Sequence, residues 1–419
     1  MSTASPSPAT SPATNVMAHL HELARCTSEP GKLTRLYLTP AHAAAVGMVR
    51  GWMEAAGMTV TVDAVANLVG RYEGERPGLP ALLLGSHIDT VRDAGHYDGN
   101  FGVLAAIEAV AELNRCRERL PFAIEVIAFG DEEGVRFPSK LSGSRAVAGT
   151  FAVETLDVVD AQGVSLEQAL RQFGCDPALI AAIGRRPEAV LGYVELHIEQ
   201  GPVLEQQWLP VGVVTAINGA SRFRVEVTGH AGHAGTVPMH LRQDALVVAA
   251  EMVLAVERRA AGAGDVGLVA TVGSIEAVPG APNVIPGKVR FTLDVRAPVD
   301  ADRTKAIEDL SAAFATLAQR RNLQVKIERF YDEAATACDP TLIEALEAAV
   351  ARAGVRPFRL PSGAGHDAMA IATLCPIAML FVRCKGGISH HPAEAITTKD
   401  AEVALQVLLD FLRHQGKAA

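Results

Sequence analysis

The chain has 419 residues, 49% of them hydrophobic and 20% charged, and a formal net charge of −9. That length exceeds one comfortable hydrophobic core, so two domains are expected. The acidic balance excludes a nucleic-acid partner, which would need a clustered basic face, and no apolar run approaches the length of a membrane span.

Residues 1–14 are mostly Ser, Pro, Ala and Thr, without a basic start or an apolar stretch, and read as a disordered tail, not a signal peptide. The spacing predicts a helix over 41–56, ending at Gly57, and a strand over 58–64, where Val and Thr alternate. Ala81-Leu82-Leu83-Leu84 is a short buried strand that runs into His87. A long apolar helix follows over 99–116, then a strand over 122–129 that leads into Asp131-Glu132-Glu133. Alternating strands and helices imply an α/β domain with a largely parallel sheet covered on both faces. In such sheets the chemistry collects at the carboxyl ends of the strands, where His87 and the glutamate pair fall.

The middle of the chain changes character. Residues 211–216, 223–229, 267–278 and 289–295 read as strands, 241–261 and 301–320 as helices, and 323–329 as a last strand. This α+β unit holds no candidate ligand, and from about Tyr331 the helix–strand alternation resumes. The expected organisation is a catalytic domain over 15–211 and 330–419, interrupted by an inserted domain over 212–329. The six cysteines lack Cys-x-x-Cys spacing and read as free thiols of a cytoplasmic enzyme.

Metal-type side chains recur in order along the flanking halves: His87 in Gly85-Ser86-His87-Ile88-Asp89, Asp98 before Gly99, the Glu132-Glu133 pair, His197 in His197-Ile198-Glu199-Gln200-Gly201, and His390 in Ser389-His390-His391-Pro392. Two divalent ions that share one carboxylate need about this inventory. Taken singly, each has a plain alternative. His87 is equally a buried histidine with Asp89 as its local partner, Asp98-Gly99 a turn, and the acidic triplet a solvated loop. Together, split by a ligand-free insert, they point to a dinuclear site. Asp89 would accept from the second imidazole nitrogen of His87, and the diverging glutamates would let one bind metal while the other serves as general base. His391 competes with His390 for the closing position.

These motifs resemble the M20-type metallohydrolases, and within them the hydantoinase/carbamoylase group of N-carbamoyl-L-amino acid hydrolases, β-ureidopropionases and allantoate amidohydrolases. The resemblance implies a zinc-peptidase-like α/β domain with an inserted ferredoxin-like lid that dimerises. It implies His87, Asp98, Glu133, His197 and His390 as ligands of two ions (Mn²⁺ or Zn²⁺, with Co²⁺ or Ni²⁺ also suited), Asp98 bridging and Glu132 as general base. It further implies that His233, in a glycine-rich segment, reaches the neighbouring subunit's site and stabilises the oxyanion. Asn283, Arg296 and Gln200 would hold a small ureido carboxylate, with Gly363 and Ala364 lining the pocket. From its residues alone, Arg296 is either a carboxylate fork or half of a surface ion pair with Asp294. The stretch from His87 to Gly95 is most similar to the allantoate branch. The alternatives are N-carbamoyl-L-amino acids, then β-ureidopropionate. More distant are an M20 aminopeptidase or dipeptidase, and a non-catalytic dimeric binding protein.

Overall fold

A computed structural model describes residues 11–415. It divides into two compact units: Met1–Thr215 with Cys338–Leu360 and Gly365–Ala419, and Ala216–Ala337 with Pro361–Ala364. The tail expected over 1–14 lies outside the described residues as far as position 10. Beyond that it gives way to a helix. Ser11 caps α1 (Pro12–Leu23), accepting from the Thr14 amide, with Pro12 in the first turn. The Ser-Pro-Ala composition that suggested disorder is here a helix start signal.

In the first unit α1 is followed by α2 (Pro40–Ala55), β1 (Thr59–Val62), β2 (Leu68–Tyr72), β3 (Ala81–His87), α3 (Asn100–Arg115), β4 (Ala123–Phe129), α4 (Ser142–Val147), α5 (Leu166–Phe173), β5 (Val190–Ile198), α6 (Val203–Gln206) and β6 (Val211–Ile217). The second unit carries β7 (Gly219–Thr228), β8 (Gly232–His233), α7 (Ala245–Ala261), β9 (Val269–Thr271), β10 (Ile275–Val278), β11 (Val284–Ile285), β12 (Lys288–Ala297), α8 (Asp300–Gln319), β13 (Gln324–Glu333) and β14 (Thr336–Ala337). The chain then forms α9 (Pro340–Arg352), β15 (Arg359–Ser362), α10 (Ala368–Ile371), β16 (Ile377–Val382) and α11 (Thr398–His414).

The strands of the first unit lie in the order β1-β2-β4-β3-β5-β16-β6. The sheet is mixed, not largely parallel. β4, β3, β5 and β16 run parallel, whereas β1 and β2 on one side and β6 on the other pair antiparallel. The few residues between β1 and β2 allow only an antiparallel pair, because a parallel one needs a crossover. β3, β4 and β16 are buried along their whole length, so both of their faces are covered. α3 packs on β3, β4 and β5, and α1 packs on α3 and α11.

The second unit is an antiparallel sheet in the order β10-β12-β7-β13, with β9 also on β12, plus the separate pair β8–β11. β12 alternates buried and open positions, giving the sheet one apolar face. α7 and α8 cover it through Met252, Val256, Leu310 and Phe314 against Val225, Phe291 and Leu293. Its boundaries fall a few residues later than the expected 212–329, because β13 runs on to Glu333 and β14 follows. No described helix is long and apolar enough to cross a membrane, and all six cysteines are free.

Candidate metal centre

Neighbouring parallel strands end at one edge of the first sheet and deliver most of the set. β3 ends on His87, opposite Phe129 of β4, and the chain leaving β4 turns at Asp131 into Glu132 and Glu133. His197 stands near the end of β5, opposite Phe381 of β16, and β16 runs on towards His390. Asp98 arrives on the loop before α3, where two glycines permit the approach. Gly99 has φ 64°, and a Cβ there would run into the His87 imidazole; one on Gly102 would strike the Leu196 carbonyl.

Asp98 is the hub of the cluster. Its Oδ1 lies 3.1 Å from His197 Nε2 and 3.7 Å from His87 Nε2, and its Oδ2 lies 3.2 Å from His390 Nε2. The Nδ1 atoms of His87 and His197 donate to the backbone carbonyls of Asp89 and Ile198, each at 2.9 Å. Those bonds turn both Nε2 atoms inward, the arrangement of a metal-ligating imidazole. Glu133 Oε2 stands 3.7 Å from His390 Nε2, and Glu132 Oε2 stands 3.9 Å from His87 Nε2. The donor atoms make two triads that share Asp98, His87–Asp98–His197 and Asp98–Glu133–His390.

The residues fit divalent ions. Glu133 Oε1 is buried without a hydrogen-bond partner, an orphan acceptor that a cation would satisfy. The imidazole and carboxylate donors, with no thiolate, suit Zn²⁺, Mn²⁺, Co²⁺ or Ni²⁺. Asp131, Gln200 and His390 all hold left-handed φ values, 65°, 56° and 55°, so backbone strain gathers at this edge, as it does at functional sites.

Residues 83–414 match the model of the peptidase family M20/M25/M40. The chain belongs to that family. It is 42% identical over 390 residues to an N-carbamoyl-L-amino acid amidohydrolase of Geobacillus stearothermophilus, covering 93% of this chain and 95% of that one. It is 42% identical over 428 residues to an allantoate deiminase of Arabidopsis thaliana, covering 95% of this chain and 82% of that one. The crystal structure of a hydantoinase/carbamoylase-family amidase from Burkholderia multivorans matches it with a TM-score of 0.90 at 34% identity, covering 96% of this chain and 97% of that one. This M20 chain is a hydrolase of carbon–nitrogen bonds, and its fold is the family's α/β fold with a mixed sheet.

The electrostatics of the M20 site follow from burial and from close like charges. Burial raises Glu132 well above the usual carboxylate range, with Glu133, Asp367 and Asp89 adding to the rise and His87 opposing it. Burial, with Asp98 beside it, brings Glu133 up to about 7. The hydrogen bond to Asp98 pushes His390 up to about 9. Burial alone would raise Asp98, but the histidines around it hold it well below the ordinary value.

Asp89 does not take the part expected of it. Its carboxylate stays 3.9 Å from His87 Nδ1 and accepts the backbone N–H groups of Glu132 and Glu133 at 3.2 and 3.3 Å. The backbone carbonyl of Asp89 does the orienting at 2.9 Å, because the side chain is drawn to the amides of the glutamate turn. Gln200 Nε2 donates to Asp98 Oδ2 at 3.0 Å and to Ser389 Oγ at 3.1 Å; its Oε1 is buried and unpartnered. His391 accepts the Ala393 amide in a local turn, while His390 faces Asp98.

His233, Asn283, Arg296, Gly363 and Ala364 belong to the second unit. His233, on β8, is exposed and pairs in register with Val284 of β11; the Asn283 carbonyl accepts the Ala234 amide at 2.9 Å. Arg296 forks onto Asp294 at 2.8 and 3.0 Å and reaches the Gly363 carbonyl at 2.7 Å, and Asp294 is shared with Arg222. The ion pair weighed from the sequence is therefore formed.

Two supporting glutamates, Glu394 and Glu195, were missed. Glu394 accepts the amides of Tyr97 and Asp98 and the Ser389 hydroxyl. Glu195 holds Ser86 and the Ala368 amide, and the His366 ring packs edge-on against His197 at 4.5 Å. Glu195, His197 and His366 make a further buried triad. The signals were faint: Glu195 stands two before His197 in a strand, and Glu394 four after His390.

Proposed function

We propose that this chain is a dimetal amidohydrolase that cleaves the carbamoyl C–N bond of a small ureido carboxylate, releasing ammonia and carbon dioxide. The observation that carries the reading is Asp98, which presents one oxygen to His87 and His197 and the other to His390, with Glu132 beside His87. Allantoate and N-carbamoyl-L-amino acids stand level as substrates, since relatives named for each are equally identical to this chain; β-ureidopropionate is third.

Ions held by His87, Asp98 and His197 and by Asp98, Glu133 and His390 would polarise the ureido carbonyl and ease ionisation of the attacking water. Glu132 takes the proton of that water and passes it to the leaving nitrogen. Burial raises its proton affinity above that of an ordinary carboxylate, which favours its accepting a proton from water. Asp89, through the two amides it accepts, keeps the Glu132 carboxylate facing His87. The second unit acts as a ferredoxin-like lid in a cytoplasmic homodimer. There the exposed His233 completes the partner's site and takes up oxyanion charge. Arg296, Asn283 and Gln200, with Gly363 and Ala364, receive the substrate carboxylate, and Arg296 exchanges Asp294 for it. Mn²⁺ and Zn²⁺ are the first metals to try.

The test is ammonia release by metal-reconstituted protein on allantoate beside a panel of N-carbamoyl-L-amino acids, with Glu132→Gln as the blank. Turnover of either class, lost in the blank, upholds the reaction and chooses the branch. Silence on every ureido substrate with ions bound would sink it and direct attention to dipeptides.

A further inference from the structure

Arg35 is fully buried, with 0% exposure, and among the described residues it forms no ion pair. A guanidinium in that position must be satisfied by dipoles, and four acceptors surround it. Nε donates to the Ile88 carbonyl at 2.6 Å, Nη1 to the Leu23 and Cys26 carbonyls at 2.9 and 3.1 Å, and Nη2 to Asn100 Oδ1 at 2.6 Å.

The acceptors fall on two sides. Leu23 closes α1, and its carbonyl, which also accepts the Cys26 amide at 3.0 Å, lies at the negative end of that helix, where a cation is favoured. Ile88 lies between His87 and Asp89. Asn100 uses its other amide atom to donate to the Asp98 carbonyl at 3.0 Å. The main chain adds a further clasp: the Arg35 amide donates to Thr90 Oγ1 at 2.9 Å, and the Arg35 carbonyl accepts the Thr90 amide at 3.0 Å. One side chain thus joins the loop that carries His87 to the loop that carries Asp98 and ties both to the end of α1.

We propose that Arg35 is a positioning residue of the metal centre. It sets the separation of His87 and Asp98 across the shared triad, and α1 serves as its anchor. Lysine cannot replace it, because a single ammonium does not span acceptors on three segments. The inference rests on the dimetal reading above, and its test separates the two.

The experiment is metal retention by the full chain, measured as bound ion per subunit against increasing chelator. The variants are Arg35→Lys, Arg35→Met and Asn100→Ala, the last cutting only the link to Asp98. Tyr37→Phe is the control: it removes a buried hydrogen bond to the Val65 carbonyl from the same segment, a bond that reaches neither the His87 loop nor the Asp98 loop. Circular dichroism selects the folded variants, and thermal midpoints rank their stability. The expected result is retention weakened about 10–100-fold in the Arg35 and Asn100 variants, with Arg35→Lys between wild type and Arg35→Met, while Tyr37→Phe holds its ions like wild type. Wild-type retention in folded Arg35 and Asn100 variants, or loss in Tyr37→Phe in proportion to its stability, would overturn the proposal. A wild-type chain that takes up no divalent ion would instead bring down the dimetal reading and this inference with it.

Discussion

Replacing Gly99 by alanine tests the geometry of the metal centre at its tightest point. The added methyl would lie 2.5 Å from both Cδ2 and Cε1 of His87, whereas non-bonded carbons settle at roughly 3.5–4.0 Å. The ring must retreat by roughly 1 Å, well outside the ~0.2 Å tolerance of a ligand distance. It cannot do so freely, because Nδ1 is held by the Asp89 carbonyl. The alternative is for Gly99 to leave its φ of 64° and carry Asp98 with it. Either way the triad His87–Asp98–His197 opens, so metal affinity should fall by at least the ~10–100-fold seen for lost supporting contacts, about 1.4–2.8 kcal/mol. Backbone strain adds about 1–3 kcal/mol to the destabilisation. Gly163→Ala separates the two effects, since Gly163 has φ 79° with nothing within 4 Å of an added Cβ; it should share the strain and keep the ions. The assay is equilibrium dialysis with elemental analysis, alongside thermal unfolding of the metal-free proteins. A Gly99→Ala protein that binds its full complement at wild-type affinity would refute the argument.

Glu132→Gln should keep its ions and lose about 10²–10⁴-fold in turnover, the range for a general base; elemental analysis and single-turnover ammonia release check both halves. Metal affinity should rise with pH, because binding must displace protons from the histidine ligands, His390 with a pKa of about 9 and His87 and His197 both raised by Asp98 beside them, and below about 7 a further one from Glu133. Chelator competition should give a log affinity that climbs with pH across pH 7 to 9 and more steeply below 7; a flat profile would contradict it. His42 is fully buried, and burial brings its pKa down from the ordinary 6.5 to about 3. The folded value is depressed, so its contribution to stability is present above pH 6.5 and is lost as pH falls from there toward 3. Near pH 5 that amounts to about 2 kcal/mol, and His42→Gln should flatten the fall in urea midpoint between pH 7 and pH 5.

The gathering of these candidate ligands was legible because it combines residue type with position. A buried apolar strand that runs into a histidine, or into consecutive acids, states that these groups leave the sheet at its carboxyl edge, and His87 and the glutamate pair could be placed on that ground alone. The mixed direction of the sheet was not legible in the same way. β6 is as apolar as a parallel strand, and only its pairing with β16 reveals that it runs antiparallel. The helix at Pro12 was missed because Ser and Pro are both disorder-promoting in composition and helix-starting in position, and composition was given the greater weight. Least legible were the residues that hold the ligands in place. Arg35, Asn100, Glu394 and Asp89 act mainly on backbone N–H and C=O groups, which every residue carries, so no pairing of residue types marks them in the sequence. Asp89 shows the consequence: the spacing of His87-Ile88-Asp89 placed the right residue beside the imidazole, but its carboxylate and carbonyl divide the work, and only coordinates assign which atom does what. A search for such residues in a related chain would therefore do better to start from buried, uncompensated charges near a ligand loop than from the ligand motifs themselves, since a buried guanidinium without a carboxylate is costly and must be satisfied by the backbone it organises.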